Sequence, residues 1–169
     1  VKLTNGKRLQ KSRQGIVLGG KTRSPRISIS DWNGSAGTVS FWIKPVDWGF
    51  HSRDKFPLVA LTGTGNRTTV LKKQAQRNPG GPLPDSFMCQ TVVHYENKPK
   101  EVNTLGSTTL KGNWENGEWH HLCLTWQDDV FVRLYLDGDL RFERTGTFAW
   151  PNRAGGVTVG YDNYWKGET

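Results

Sequence analysis

Apolar and polar residues alternate along several short stretches of this chain. Residues 38–44 (TVSFWIK) place Val39, Phe41 and Ile43 at every second position, with Trp42 at a position between them. Successive side chains of a β-strand point to opposite faces, so a period of two predicts a strand with one face toward a core. Further strands are predicted at 87–95, 121–126, 130–136, 140–142 and 157–159.

Turn signals separate these predicted strands. Asp137-Gly138 stands between 130–136 and 140–142, and this dipeptide favours a two-residue hairpin because both central positions need a positive φ. No stretch of ten residues shows the 3.6-residue period of an amphipathic helix. Short strands joined by turns predict an all-β fold, an antiparallel sandwich or jelly roll.

One predicted connection is long. Residues 72–86 contain Pro79, Pro82, Pro84 and a Gly-Gly pair. A connection of this length without secondary structure is usually a functional or mobile loop. We therefore expect a loop over this whole stretch.

Length and charge limit the number of domains and the classes of partner. The 169 residues suffice for one domain with one core, which we assign to residues 16–169, after a basic arm at 1–15. Eight Lys or Arg fall within the first 26 residues of a chain whose net charge is +8, enough to attract an acidic partner by charge alone. No zinc-finger, KH or RNP pattern accompanies this charge, and no apolar run is long enough to cross a bilayer. We expect neither nucleic-acid binding nor membrane insertion.

Two adjacent histidines in GEWHHLCLTW (residues 117–126) raise the question of a metal site. If 120–126 is a strand, His120 and His121 point to opposite faces and cannot both bind one metal ion. No HxH or CxxC spacing is present in the chain. The pattern therefore argues against a zinc centre.

Three segments resemble the LamG-like and pentraxin-like jelly rolls of the concanavalin A-like lectin superfamily. They are GEWHHLCLTWQDDVFVRLYLDGDLRFE (117–143), TVSFWIKP (38–45) and GGVTVGYD (155–162). The resemblance implies a lectin-like jelly roll in which Trp119 and Trp126 anchor the core.

The same resemblance bears on the two cysteines. Pentraxins pair the cysteine of the HxCxTW strand with one in the early strand, where this chain has Ser40. Two alternatives remain open: Cys123 pairs with Cys89, or both stay reduced.

Calcium is the metal that the resemblance implies. In this family it is held by loop oxygens, and the corresponding positions here are Asp162, Asn163 and Asn66. Calcium needs several converging oxygen ligands, and this set contains one carboxylate. We expect no cofactor, with calcium at these three residues as the alternative.

Aromatic side chains outside the core are candidates for binding the glycans that the resemblance implies. Trp42 and Tyr135 lie on the side of their strands opposite to the core, as does Arg133, whereas Trp48 and Trp150 fall in loops. An aromatic ring presents an apolar face that can stack on a sugar ring. These five residues are the candidate glycan contacts, with packing inside the protein as the alternative.

Two N-glycosylation sequons, at Asn33 and Asn66, favour a location outside the cell.

Catalysis is not expected. Hydrolases of the resembled fold carry paired carboxylates in an ExDxxE motif. The nearest match, Glu115-Asn116-Gly117-Glu118, spans a turn and lacks the central Asp of that motif. We predict a non-catalytic, extracellular or cell-surface recognition or adhesion module that binds a glycan or a glycoprotein.

A structural protomer of an extracellular fibre is the alternative function. Members of the resembled family end with a strand that returns beside the N-terminal one, and this sequence stops at 165–169, where that strand would begin. A sheet edge without its partner invites pairing with another chain. We expect this edge to be closed from outside the chain rather than by residues 1–10, because Asn5-Gly6 interrupts that arm.

Overall fold

The computed structural model describes residues 26–29, 34–45, 56–63, 66–78, 81–97, 99–109, 114, 117–147, 150–151 and 155–159. These residues form ten strands in two antiparallel sheets and contain no helix. The strands are β1 (Arg26–Ile29), β2 (Ala36–Ile43), β3 (Phe56–Thr62), β4 (Arg67–Asn78), β5 (Gly81–Val93), β6 (Glu101–Thr109), β7 (His120–Gln127), β8 (Phe131–Leu136), β9 (Asp139–Thr145) and β10 (Gly155–Val159). The predicted all-β fold is confirmed.

The two sheets form the two layers of a sandwich. Sheet A has six strands in the order β1-β10-β3-β4-β5-β6, and sheet B has four in the order β2-β7-β8-β9. Their facing sides enclose one hydrophobic core, the arrangement expected of a jelly-roll sandwich. Core residues include Leu61, Leu71, Phe87, Cys89 and Leu105 from sheet A, and Leu122, Leu124, Trp126, Val132 and Leu134 from sheet B.

Alternation decides which side of β8 enters this core. Val132, Leu134 and Leu136 are buried, while Arg133 and Tyr135 between them keep part of their surface in solvent. The strand period of two therefore holds residue by residue along this strand. It divides sheet B into a core side and a solvent side.

The hairpin between β8 and β9 has the turn that its sequence predicts. Asp137 and Gly138 have φ angles of 53° and 90°. Both are left-handed, a conformation open to glycine and better tolerated by aspartate than by most residues. The predicted Asp-Gly turn is confirmed.

The predicted loop over residues 72–86 is wrong, because the structure has a hairpin there. Strand β4 runs to Asn78 and β5 begins at Gly81, and these two residues face each other. Proline is accepted in a strand where one of the neighbouring strands is missing. Strand β6 pairs with β5 only beyond Pro82 and Pro84, so both prolines lie where β5 has one partner strand.

Trp126 anchors the core as predicted, but Trp119 does not. Trp126 is 3% exposed, whereas Trp119 is 53% exposed. Seven positions separate them, and an odd separation places two residues on opposite faces of an extended chain. The Nζ atom of Lys44 lies 5.4 Å from the centre of the Trp119 ring, so Trp119 stands at the end of the solvent side of sheet B.

Both cysteines are free thiols, so the structure has the reduced alternative. Cys89 is buried on β5 in sheet A, and Cys123 is half-buried on β7 in sheet B, opposite Ser40. Burial raises the pKa of Cys89 to about 12 and also raises that of Cys123. Neither thiol is activated as a nucleophile at neutral pH.

Several predictions concern segments outside the described residues. They include the basic arm at 1–15, its boundary with the domain, and the closure of a sheet edge from outside the chain. These stay predictions. No helix long and apolar enough to span a membrane occurs in the described part of the chain.

Candidate functional site

The side of sheet B that points away from the core carries most of the predicted glycan contacts. We call it the outer face of sheet B. Its side chains come from alternate positions of β2, β7, β8 and β9 and from Trp119 at its end, and include Ser40, Trp42, Trp119, His121, Phe131, Arg133, Tyr135, Leu140 and Glu143. The structure therefore brings Trp42 onto the same face as Arg133 and Tyr135, from which it is far apart in the sequence.

Trp42 is the most exposed of these aromatic residues and is held in place from one side. It is 64% exposed. Its ring lies 5.1 Å from the ring of His121, its register partner on β7. A hydrogen bond of 2.7 Å joins His121 Nε2 to Ser40 Oγ. His121 thus contacts the indole, most of whose surface stays in solvent.

Arg133 is fixed by neighbours on its own strand and on β9. Its Nη2 donates to Glu143 Oε1 at 2.9 Å, and its guanidinium carbon lies 4.1 Å from the centre of the Phe131 ring. The hydrogen bond to Glu143, aided by one to Tyr135, outweighs partial burial and raises the pKa of Arg133. Phe131, Arg133 and Tyr135 form a continuous strip along β8.

The strand register sets the distance between Trp42 and Tyr135 on this surface. Trp42 faces His121, and Tyr135 faces Cys123, which in turn faces Ser40. From the spacing of strands and of residues along them, the Cα atoms of Trp42 and Tyr135 lie about 12 Å apart. A ligand that touches both side chains must reach across β7, from β2 to β8.

The adjacent histidines occupy two different environments. The His120 ring stacks on Trp114, with centroids 3.9 Å apart and 8° between the planes. Its Nδ1 lies 2.9 Å from Asp137 Oδ2, while the backbone N–H of His121 donates to Asp137 Oδ1 at 2.7 Å. His120 therefore belongs to the packing beneath the β8–β9 turn, and His121 to the outer face.

Asp137 ties that turn back to the start of β7. Partial burial would raise the pKa of its carboxyl, but hydrogen bonds from the His121 amide and the His120 ring outweigh that effect and hold the pKa below its ordinary value. The backbone N–H of Asp137 also donates to the His121 carbonyl at 2.8 Å. This carboxylate is a structural clamp.

Two of the predicted glycan contacts are not on this surface. Trp150 is 2% exposed, and its ring stacks on that of Trp126 at 4.9 Å. Its prediction as a glycan contact is wrong, because a ring enclosed by the core has no face to offer a sugar. Trp48 lies outside the described residues.

The residues considered for calcium are only partly described. Asp162 and Asn163 lie outside the described residues. Asn66 is exposed, has a φ of 56°, and accepts the His94 N–H on its backbone carbonyl at 2.9 Å. Within the described residues, no group of three or more His, Cys, Asp or Glu side chains is arranged to hold a metal ion.

Asn66 also borders an open groove of about 490 Å³ at the end of sheet A. Tyr95 is the exposed aromatic residue of this groove, and its hydroxyl donates to Glu101 Oε2 at 3.0 Å. As a sequon asparagine, Asn66 is accessible on the surface; the second sequon, at Asn33, lies outside the described residues.

Of the two glutamates that come nearest to the paired carboxylates of a hydrolase, Glu115 and Glu118, the structure describes only Glu118. Glu118 Oε2 lies 3.9 Å from His120 Nε2, and Glu115 lies outside the described residues.

Several members of the outer face were missed from the sequence. Phe131 shares the parity of Arg133 and Tyr135 on β8, so the alternation used for those two could have found it. Glu143 could not be found that way. A plain two-residue hairpin would place Phe142 opposite Arg133, and a one-residue irregularity between Leu134 and Tyr135 shifts the pairing to Glu143.

Comparison with known proteins places the fold among lectins and glucanases. Residues 19–169 match the Laminin_G_3 family, described as the concanavalin A-like lectin/glucanases superfamily. No match is found among curated proteins.

Two solved structures are similar to this chain at low identity. One is a β-porphyranase from the human gut bacterium Bacteroides plebeius, with 11% identity, a TM-score of 0.41, and coverage of 83% of this chain and 57% of that one. The other is an alginate lyase from Pseudomonas aeruginosa, with 10% identity, a TM-score of 0.39, and coverage of 83% and 72%. The chain thus spans little more than half the length of the first.

Proposed function

The chain belongs to the concanavalin A-like lectin/glucanases superfamily, and from this premise we propose that it is a non-catalytic carbohydrate-binding domain. The ligand is a glycan, free or carried by a glycoprotein, and it lies on the outer face of sheet B. We place the protein outside the cell or on its surface, where such ligands are displayed. An exposed sequon asparagine, Asn66, supports that location.

The observation that carries this proposal is the exposure of aromatic rings on one side of one sheet. Trp42 and Trp119 are 64% and 53% exposed, and Leu140 is 49% exposed. Exposed apolar side chains that gather on one surface indicate a binding site. Tryptophan offers a broad apolar face together with a polar N–H, which suits the apolar and hydroxyl-bearing sides of a sugar ring.

Polar groups beside the rings supply the hydrogen bonds that a sugar needs. The guanidinium of Arg133 offers donors only, and the carboxylate of Glu143 offers acceptors only. They are joined at 2.9 Å, so a donor and an acceptor stand side by side. A sugar hydroxyl both donates and accepts, and a pair of neighbouring hydroxyls can engage both groups at once.

The arrangement of carboxylates supports a binding role over catalysis. Glycosidases work with two carboxyl groups placed on either side of the scissile bond. Among the described side chains of the outer face, the carboxylate is that of Glu143, and its Oε1 is bonded to Arg133. One ion-paired carboxylate does not supply the acid and nucleophile of that reaction.

Binding to soluble polysaccharides and to an array of glycoprotein glycans tests this proposal. We expect Trp42→Ala to weaken binding by roughly tenfold, because loss of a stacked ring costs a little over 1 kcal/mol. Its melting temperature should stay close to that of the wild type, since Trp42 is exposed.

Tyr95→Ala is the matched control, because Tyr95 is an aromatic residue 45% exposed at the other sheet. Equal losses in the Trp42 and Tyr95 variants, or no binding to any glycan, would contradict the proposal. Release of reducing ends by the wild-type protein, abolished in Glu143→Gln, would contradict its non-catalytic part.

A further inference from the structure

We propose that the ligand of the outer face is a neutral glycan, and that Glu143 sets this preference by neutralising Arg133. This inference rests on the proposed function of the same face and names its substrate class. It runs against the overall composition, since a net charge of +8 by itself favours acidic partners.

The local charge of the outer face differs from that of the whole chain. Among the side chains named above for this face, the charged ones are Arg133 and Glu143, one of each sign, whereas eight of the basic residues of the chain fall within the first 26 positions. Charges act mainly over the Debye length of about 8 Å at physiological salt. An acidic sugar on this face therefore meets Arg133 and Glu143 as a pair whose charges cancel, and not the positive excess of the whole chain.

The cation at the centre of the face is already paired. Arg133 donates to Glu143 Oε1 at 2.9 Å and lies 4.1 Å above the Phe131 ring. Both partners of the ion pair keep about one third of their side-chain surface exposed. Their remaining donors and acceptors can reach a ligand, but as a pair whose charges cancel.

A uronate or sulfate group would have to compete with Glu143 for this guanidinium. In doing so it would place a second negative charge within a few ångströms of the first, and like charges at that distance repel. A neutral sugar meets no such penalty, because its hydroxyls donate to the carboxylate and accept from the guanidinium.

The pairing depends on a feature of the backbone that is specific to this hairpin. The register of β8 and β9 shifts by one residue between Leu134 and Tyr135, which brings Glu143 opposite Arg133 and sends Phe142 toward the core. Such irregularities re-aim side chains in strands that border functional sites. In this hairpin it delivers the carboxylate to the cation.

The second cation near the face is also engaged. Lys44 Nζ lies 5.4 Å from the centre of the Trp119 ring, at the end of the surface. Glu118 is the direct neighbour of that tryptophan in the chain. Lys44 thus adds a cation–aromatic contact at the end of the surface.

The test compares dissociation constants for neutral and acidic polysaccharides. A neutral β-glucan, a galactomannan and an arabinoxylan form one set; polygalacturonate, alginate and a sulfated galactan form the other. We expect the wild-type protein to bind at least one neutral polymer about tenfold or more tightly than any acidic one at physiological salt.

Glu143→Gln is the decisive variant, because it keeps the shape of the side chain and removes its charge. We expect acidic polymers to gain about tenfold in affinity, as a freed guanidinium forms charge-assisted bonds with carboxylate or sulfate. This gain should shrink as salt is raised. The double variant Arg133→Gln/Glu143→Gln should lose the gain.

Asp129→Asn is the control, since it makes the same change in net charge in the β7–β8 turn, where Asp129 has the left-handed φ of 56° that Asn also accepts. An equal gain for acidic polymers in this variant would show a general charge effect and overturn the role of Glu143. Equal wild-type affinity for the two sets, or no gain in Glu143→Gln, would overturn the inference and leave the proposed function standing. No binding to either set would overturn both.

Discussion

The indole of Trp150 stacks on the indole of Trp126, with ring centroids 4.9 Å apart and 24° between the planes. Trp126 also donates from Nε1 to the Gly34 carbonyl at 2.9 Å. Both tryptophans are at most 3% exposed. Trp150, in the connection between β9 and β10, thus packs on Trp126 of β7 in the core and is not available to a ligand.

Replacing Trp126 by alanine should strongly destabilise the domain. Truncation of a buried tryptophan costs about 3–5 kcal/mol, a large part of the stability of a domain of this size. Trp119→Ala is the matched control and should change the free energy of unfolding by roughly 0.5 kcal/mol or less, because that ring is mostly in solvent. Denaturant unfolding of the two variants measures both values; similar losses would contradict the assigned burial.

The clamp formed by Asp137 should make the stability of the folded protein depend on pH in the acidic range. Its pKa is lower in the folded protein than the ordinary value of about 3.9 in the unfolded chain. The clamp therefore contributes fully above that ordinary value, and its contribution is lost as the pH falls from about 4 through the lower folded pKa.

Asp137→Asn isolates this contribution, since asparagine also accepts the left-handed backbone. The gap in melting temperature between wild type and variant should be widest above about pH 5 and should narrow as the pH falls below about 4. Thermal unfolding measured from pH 7 to pH 2 shows the trend. A gap that stays constant over this range would speak against a charged clamp.

The two thiols should differ in their reactivity. Cys89 is completely buried with a pKa of about 12, and Cys123 is half-buried with a raised pKa. Because the thiolate is the reactive form, iodoacetamide at neutral pH should label Cys123 slowly and Cys89 only after unfolding. Mass spectrometry of timed samples identifies the sites. Native labelling of Cys89 at the rate of Cys123 would contradict its burial.

Gly106 on β6 should not accept a larger residue, because it lies against Phe142 of β9 where the two sheets meet. A Cβ at this position would lie 2.5 Å from the Phe142 ring. We expect Gly106→Ala to cost about 1–3 kcal/mol, as overpacking usually does, and Phe142→Leu to recover part of it. Ser107→Ala, on the exposed side of the same strand, should have little effect. Equal stability of the two alanine variants would refute the contact.

Local patterns in the sequence were sufficient for a large part of the fold. The period of two predicted β2, β7 and β8 and placed Trp42, Arg133 and Tyr135 on the side away from the core. Asp137-Gly138 predicted its own turn. These features follow from the neighbours of each residue in the chain, because alternation and positive φ are properties of a few consecutive residues.

Other features of the fold were decided only by the tertiary structure, because these features depend on contacts between segments that are distant in the sequence. Pro82 and Pro84 are accommodated in a hairpin because β6 pairs with β5 only from Ser86 onward, and Trp150 is buried because its ring packs on Trp126. The pairing of Arg133 with Glu143 depends on a one-residue shift in a strand register. A shift of one residue exchanges the two faces of a strand. Here Phe142 packs against the core and Glu143 lies opposite Arg133, a pairing that no local pattern contains.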